Sequence, residues 1–352
     1  MVVAPASLAD IARQIDARLS SLLEGETQRW SEFDADLAQP FQELSRLVFS
    51  GGKHLRSAFC FWGFVGAGGD PSDHQVIDAG AAIELMHAFA LFHDDVMDGS
   101  DTRRGAPTTH TMYAQQHERQ RLAGESRRFG EGIAILVGDL AFVYADQLLA
   151  GAPPQVWEIW NELRIELNIG QYLDMLGTAH RERQRETAER ISRYKSGKYT
   201  IERPLHLGAV LANPAQSPAV LAALSAYGLP LGDAFQMRDD VLGAFGQSTI
   251  TGKPVGDDLR EGKPTPLMAI ATARANEQQL RVLQLVGTSS LDRAQIADVQ
   301  QVIIDTGALA ELETHIQTLT NTAVAAARIA PITEAARNSL VELAHFVSSR
   351  EV

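Results

Sequence analysis

Apolar residues recur along most of the chain at spacings of three and four, the period of a helix with one face in a core. No convincing series of alternating, strand-like segments interrupts them. Residues 7–24 read as an amphipathic helix opening after Ser7, and 73–98 as one long, mostly buried helix. Further helical patterns fall at about 130–150, 155–185, 187–211, 217–245, 264–285, 291–304, 306–329 and 333–348. Breaks rich in glycine and proline at 66–71, 151–154, 213–218 and 246–264 are too short to be interdomain linkers. The pattern predicts an all-α protein, a single-domain bundle covering residues 1–352 with ligand groups projecting inward from facing helices. The 117–130 stretch, with four arginines and two glycines, is expected to be an exposed, mobile loop.

Composition narrows the class. With 352 residues, 45% of them hydrophobic and 21% charged, the chain can bury a sizeable core. A net charge of −13 disfavours nucleic acid and anionic membrane as partners, though locally gathered cations still suit an anionic substrate. The single cysteine, Cys60, excludes an internal disulfide and sits in AFCFWGFVGAG, as a small core residue would. The opening residues turn polar within a dozen positions, so no cleavable leader is expected. The longest apolar runs are broken by Asp139 or end in acidic residues, so no membrane span is expected either, and a cytoplasmic protein is the simplest reading.

The chemistry is concentrated at two helix ends. ELMHAFALFHDDVMDGSDTRRG places Asp94, Asp95 and Asp98 at the end of an apolar helical run, followed by Arg103 and Arg104. Asp94 and Asp98 are one turn apart and share a side of the helix. Carboxylates this close repel one another unless a strong positive charge sits among them, which suits a hard divalent cation such as Mg²⁺. A solvated acidic helix end is the blander explanation, and the apolar sequence upstream weighs against it. Glu84 and His87 lie near the same stripe, and a lone histidine there would ordinarily be a satisfied core residue. The second acidic end is FQMRDDVLG, with Phe235, Gln236, Asp239, Asp240 and Gly243 along one face. Alone, this pair is weak evidence; it gains meaning as the opposing partner of Asp94–Asp98.

Cations stand near both. Lys53 and Arg56 lie in GGKHLR, where Gly51 and Gly52 allow backbone to approach a ligand. Lys195 and Lys198 lie in YKSGKYT, and Lys253 and Lys263 flank Asp258 in TGKPVGDDLREGKPT. Surface lysines usually face water, but these settings point to two phosphate sites, one shared with metal and one held by Lys and Arg alone.

Taken in order, GGKHLR, HDDVMDGSDTRRG, the Gly138–Asp139 pair, GQYLD at 170–174, YKSGKYT, FQMRDD and the GK…DLREGK loop resemble the motifs of trans-isoprenyl diphosphate synthases of the polyprenyl synthetase family, most like geranylgeranyl diphosphate synthases. The resemblance implies an isoprenoid-synthase bundle of about ten or more helices around a central cavity. It implies a magnesium-dependent enzyme with two or three Mg²⁺, held by Asp94, Asp95, Asp98, Asp239 and Asp240. Arg103, Lys195, Ser196 and Lys253 would contact the allylic diphosphate (dimethylallyl, geranyl or farnesyl), with Lys263 also at the substrate. Lys53, Arg56, His87 and Arg104 would hold isopentenyl diphosphate, and Gln171, Asp174, Tyr199 and Gln236 would line the reacting centre. A homodimer is implied as well.

Three positions depart from the family pattern. Gly243 stands where a third Asp is common, Ser196 stands for Thr, and Asp257 adds a carboxylate beside Asp258. The first puts metal affinity in question. Phe89 and small Ala90 just before Asp94, with Met86 deeper, resemble the pattern that stops elongation at C20; ordinary core packing is the alternative for Phe89. Farnesyl or C25 products, a class I terpene cyclase, and a catalytically silent subunit of a heteromer are the competing functions.

Overall fold

A computed structural model of the chain describes residues 4–180, 182, 184–246, 256–288 and 291–349. Among the described residues the architecture is all-α, as the periodicity predicts, apart from one two-stranded antiparallel hairpin pairing Thr102–Arg103 with Ala106–Pro107. Contacts cluster into two compact units. The N-terminal unit is Ala6–Phe61 with Pro71–Ala152, and the C-terminal unit is mainly Trp62–Asp70 with Pro153–Val352.

In the N-terminal unit, α1 (Ala6–Ser31) buries Leu8, Ile11, Ile15, Leu19 and Leu23, a stripe at helical spacing. Each such side chain contributes about 1.5–3 kcal/mol relative to exposure. This stripe packs against α4 (His74–Asp98). Between them in sequence come α2 (Gln39–Val48) and α3 (Leu55–Gly66). The Asp73 side chain caps the start of α4 through the Gln75 amide at 2.9 Å, and Gly99, at φ 65°, terminates it in the left-handed conformation that glycine adopts without penalty. Its flanks carry α5 (Thr109–Gln120) and α6 (Ser126–Leu148). These last two helices correct the sequence reading of 117–130: most of the arginine-rich stretch is the end of one helix and the start of the next. Arg121 forms the left-handed C-cap of α5.

In the C-terminal unit, α7 (Pro154–Ala179) and α8 (Arg185–Ser192) lead into a π-helical segment, Arg193–Glu202, followed by α9 (Arg203–Ala212). The 3.6-residue pattern predicts one ordinary helix over 187–211, so the wider π turns are a departure. They follow from close packing. A Cβ on Gly170 of α7 would lie 2.5 Å from Lys195 Cα, and one on Gly232 would lie 2.6 Å from the Gly197 carbonyl. Helix α10 (Pro218–Phe245) is capped by Ser217 and buries Leu224, Tyr227, Leu231, Phe235 and Val241. Ala308–Ile329 packs on it. Arg238, within FQMRDD, turns away from the acidic pair to meet Glu313 through two 2.6 Å contacts and the Ser348 carbonyl at 3.0 Å. It therefore fastens the C-terminal helices to α10.

By length and composition α4 and α10 could cross a membrane, yet 61% and 39% of their apolar windows are buried inside the protein. They are core helices, apolar because their neighbours are protein.

Candidate active site

The first acidic helix end divides its labour. Asp95 is 4% exposed and accepts two hydrogen bonds from Arg103 Nε, at 2.8 and 3.0 Å. Arg103 Nη2 lies 2.6 Å from Asp95 Oδ1 but 3.5 Å from Asp94 Oδ2. Burial by itself would lower the Arg103 pKa; the hydrogen bond it donates to Asp95, then the charges of Asp95, Asp94 and Asp98, raise it. Asp94 and Asp98 are half-buried at the end of α4, whereas Asp95 holds an arginine.

Beside this end lies a cluster rich in cations. The Arg104 guanidinium donates to Ser50 Oγ at 2.9 Å and lies 3.9 Å from where a Cβ on Gly52 would stand, so the second arginine rests against the GGK turn. Burial, then Arg103 and Arg56, lower its pKa, with Glu84 acting oppositely. His87 is pushed well below its ordinary value by burial first, then by Arg56, Arg104 and Arg103, so it stands neutral with Nδ1 sealed from solvent. Lys53 is exposed and Arg56 half-buried.

Sequence reasoning missed what shapes this cradle. Ser57 donates to Glu84 Oε1 at 2.6 Å, and His54 sits between Glu84 Oε2 at 3.5 Å and Asp16 Oδ1 at 3.2 Å. His54 and Arg104 both carry positive φ, 45° and 52°, an uncommon state for such residues that concentrates where ligands are held. The visible signal was the histidine inside GGKHLR; Ser50, Ser57 and Asp16 gave none.

Phe89 lies on the same helix, its ring 4.9 Å from that of Phe142 and 4.5 Å from that of His93. Ala90 is half-buried and Met86 is fully buried.

The second acidic end is in the C-terminal unit. There Asp174, Lys195, Ser196, Gln236, Asp240, Asp258 and Lys263 line a cavity of about 90 Å³, room for more than one water when each needs about 10–15 Å³. Lys195 Nζ bonds Asp174 Oδ2 at 2.6 Å, and Gln236 Nε2 donates to Asp240 Oδ1 at 2.9 Å. Asp240 Oδ2 is buried and has no hydrogen-bond partner among the described residues. Burial first, then the charges of Asp258, Asp239 and Asp174, push the Asp240 pKa well up, against the Gln236 bond. Asp239 is half-buried beside it, and Lys263 pairs with Glu261 at 2.6 Å and stands 3.9 Å from Asp258. Gln171 is half-buried on α7 and Tyr199 buried on the π segment. One predicted cation does not gather here: Lys198 bonds Glu166, which also accepts from Arg203 at 2.6 Å. Lys253 lies outside the described residues.

Every candidate ligand is a hard oxygen, and the orphaned Asp240 oxygen among like charges is what a divalent cation would relieve. Among the described residues no three His, Cys, Asp or Glu side chains form a complete cage. That suits Mg²⁺, which binds through one or two carboxylates and completes its shell with water and phosphate.

Fold and site together define an all-α protein with aspartate-rich helix ends and a cationic anion cradle. The polyprenyl synthetase family model matches residues 38–303, and the chain belongs to that family. A geranylgeranyl pyrophosphate synthase from Corynebacterium glutamicum, crystallised with isoprenyl diphosphate and magnesium, superposes with a TM-score of 0.92 at 36% identity, covering 98% of this chain and 99% of that one. A geranylfarnesyl diphosphate synthase of Aeropyrum pernix is 31% identical over 75% of this chain and 79% of its own. A short chain isoprenyl diphosphate synthase of Methanothermobacter thermautotrophicus is 32% identical over 87% and 88%.

Proposed function

We propose that the protein is a magnesium-dependent prenyltransferase that joins isopentenyl diphosphate head-to-tail (1′–4) to dimethylallyl, geranyl or farnesyl diphosphate and releases geranylgeranyl diphosphate. One observation carries the reading. Within the N-terminal unit a carboxylate set suited to metal-bound diphosphate adjoins a cationic cradle suited to a second diphosphate. A terpene cyclase needs only the first. The Corynebacterium enzyme, with isoprenyl diphosphate and magnesium in its crystal, supports a diphosphate and magnesium as the ligands.

In this reading Asp94 and Asp98, and likewise Asp239 and Asp240, would be the carboxylates for the two or three Mg²⁺ that accompany the allylic diphosphate. Asp95 is assigned with them through the arginine it holds. Bound Mg²⁺ neutralises the charge that grows on the leaving diphosphate as the carbon–oxygen bond breaks. Arg103, Lys195, Ser196, Lys253 and Lys263 add donors to the same charge, favouring the transition state over the ground state. Lys53, Arg56, Arg104 and neutral His87 fix isopentenyl diphosphate so that its double bond stands beside the allylic carbon, removing the entropy of encounter. Apolar helix walls exclude the water that would quench the cation. Phe89, wedged by Phe142 and His93, is the floor that stops the chain. A second copy of the chain completes a homodimer; Leu136 and Val143 on α6, 60% and 58% exposed, are apolar side chains available to it.

Purified protein incubated with Mg²⁺, isopentenyl diphosphate and each allylic starter tests the assignment by product chromatography. Geranylgeranyl diphosphate is expected, and Phe89→Ala shifts products beyond C20. A hydrocarbon would indicate a cyclase, and no turnover a silent subunit. Unchanged product length in Phe89→Ala removes the floor role.

A further inference from the structure

Helix α7 meets the π segment along a single stripe. Glu166, Gly170 and Asp174 follow one another at intervals of one turn, so all three share a face. Asp174 accepts from Lys195 at 2.6 Å. At Gly170 the two backbones touch, since a Cβ there would lie 2.5 Å from Lys195 Cα. Glu166 takes the third place, accepting from Arg203 Nε and Nη2 at 2.6 and 2.8 Å and from Lys198 Nζ. Lys195 and Lys198 are close in sequence, yet they reach carboxylates two turns apart on α7. Two attachments so far apart fix both the position of the segment and its rotation about its own axis.

The opposite side of the segment is held by close backbone approach. A Cβ on Gly228 of α10 would lie 2.9 Å from Glu202 Cα, and one on Gly232 2.6 Å from the Gly197 carbonyl oxygen. Polar fastenings on that side sit at the ends, from Arg193 to Asp233 at 3.2 Å and from Ser225 to Glu202 at 2.6 Å. Glu166 is therefore what grips the middle, at Lys198, and the fork of Arg203 extends the grip to the start of α9. The carboxylate is 5% exposed. Burial alone would raise its pKa, but the bonds from Arg203 and then Lys198 hold it below the usual carboxylate value. A buried ion pair adds little net stability over packed apolar groups, whereas its directional bonds select one arrangement.

We propose that Glu166 is a positioning residue for prenyl transfer: through Lys198 and Arg203 it sets the rotation of the π segment, and with it the reach of Lys195 and Ser196 into the cavity they line. Lys198 then serves the reaction without touching a substrate. The inference rests on the reading above, in which Lys195 and Ser196 meet the allylic diphosphate, and adds the residue that aims them.

Steady-state kinetics of the purified full-length protein test it, with farnesyl diphosphate and isopentenyl diphosphate varied in turn in the presence of Mg²⁺. Glu166→Gln, which keeps the shape and removes the charge, is expected to raise the KM for farnesyl diphosphate about tenfold, with that for isopentenyl diphosphate held within about twofold. Hydrogen–deuterium exchange of residues 193–202 should quicken in the same variant. Lys198→Met raises the same KM by less, and Lys198→Arg, which keeps the charge, returns it to the wild-type value. A wild-type farnesyl diphosphate KM in Glu166→Gln overturns the proposal, as does unchanged exchange. A rise of both KM values together also overturns it, being the mark of a merely loosened fold. Should Glu166→Gln fail to fold, the two Lys198 variants decide in its place, and equal KM values in both overturn the proposal. Lys195→Ala separates the two levels. If it leaves the farnesyl diphosphate KM unchanged, the reading of Lys195 fails and the proposal with it; if it raises that KM and Glu166→Gln does not, only the role of Glu166 fails.

Discussion

Arg103 grips Asp95 through two nitrogens while standing 3.5 Å from Asp94, so two adjacent aspartates face different tasks. Removing one partner of a buried ion pair leaves the other charge without compensation, at a cost of about 3–5 kcal/mol. Asp95→Asn is accordingly expected to lower the melting temperature clearly, in circular dichroism without metal. Asp94→Asn is expected to leave the melting temperature nearly unchanged and to lower activity by at least about a hundredfold, because the proposed reading makes Asp94 a ligand of the metal at the leaving diphosphate. Equal destabilisation by both would contradict this division. His87 makes a separate forecast about pH. Its folded pKa is depressed, so in the unfolded chain it takes a proton that the folded protein refuses once pH falls below the ordinary value of 6.5. Stability of the wild type relative to His87→Gln should be level above neutrality and fall below it, by up to about 1.4 kcal/mol per pH unit. Urea titrations at several pH values check it, and a flat difference down to acid pH would refute it.

Local packing at the helices decides whether the side chains arrive. Gly170 on α7 touches the backbone of the π segment at Lys195, so its side-chain-free surface is what lets Lys195 reach Asp174 and the cavity. Gly170→Ala forces the segment outward; overpacking of this kind costs about 1–3 kcal/mol, and the KM for the allylic substrate should rise with it. Gly132→Ala on α6 is the control. Nothing lies within 4 Å of its added methyl, so stability should hold or rise by about 1 kcal/mol, as for alanine replacing glycine in a helix. Lost activity in the control, or none in Gly170→Ala, would detach the π segment from function. Periodicity could not have revealed that segment, because YKSGKYT reads as ordinary helix until the glycine contacts of Gly170 and Gly232 are seen. The arginine-rich 117–130 stretch misled in the opposite direction. Its glycine and charges look like a loop, but most of it is solvent-facing helix end, where charge is cheap.

Across the whole chain, what repeats along one helix was readable, and what is assembled from distant residues was not. The long apolar run at 73–98 became α4 almost to the residue, with Asp94, Asp95 and Asp98 at its end. By contrast, no local pattern tells that Arg238 serves the C-terminal helices or that Lys198 belongs to Glu166. Each depends on a partner many residues away. The central claim is that both acidic helix ends ligate the metal of a diphosphate. Crystals grown with Mn²⁺ and a non-hydrolysable allylic diphosphate analogue, recorded at the manganese absorption edge, test it most directly. The account predicts anomalous peaks on the carboxylates of Asp94 and Asp98 and also on Asp239. Peaks on one acidic end alone, or on neither, would contradict it.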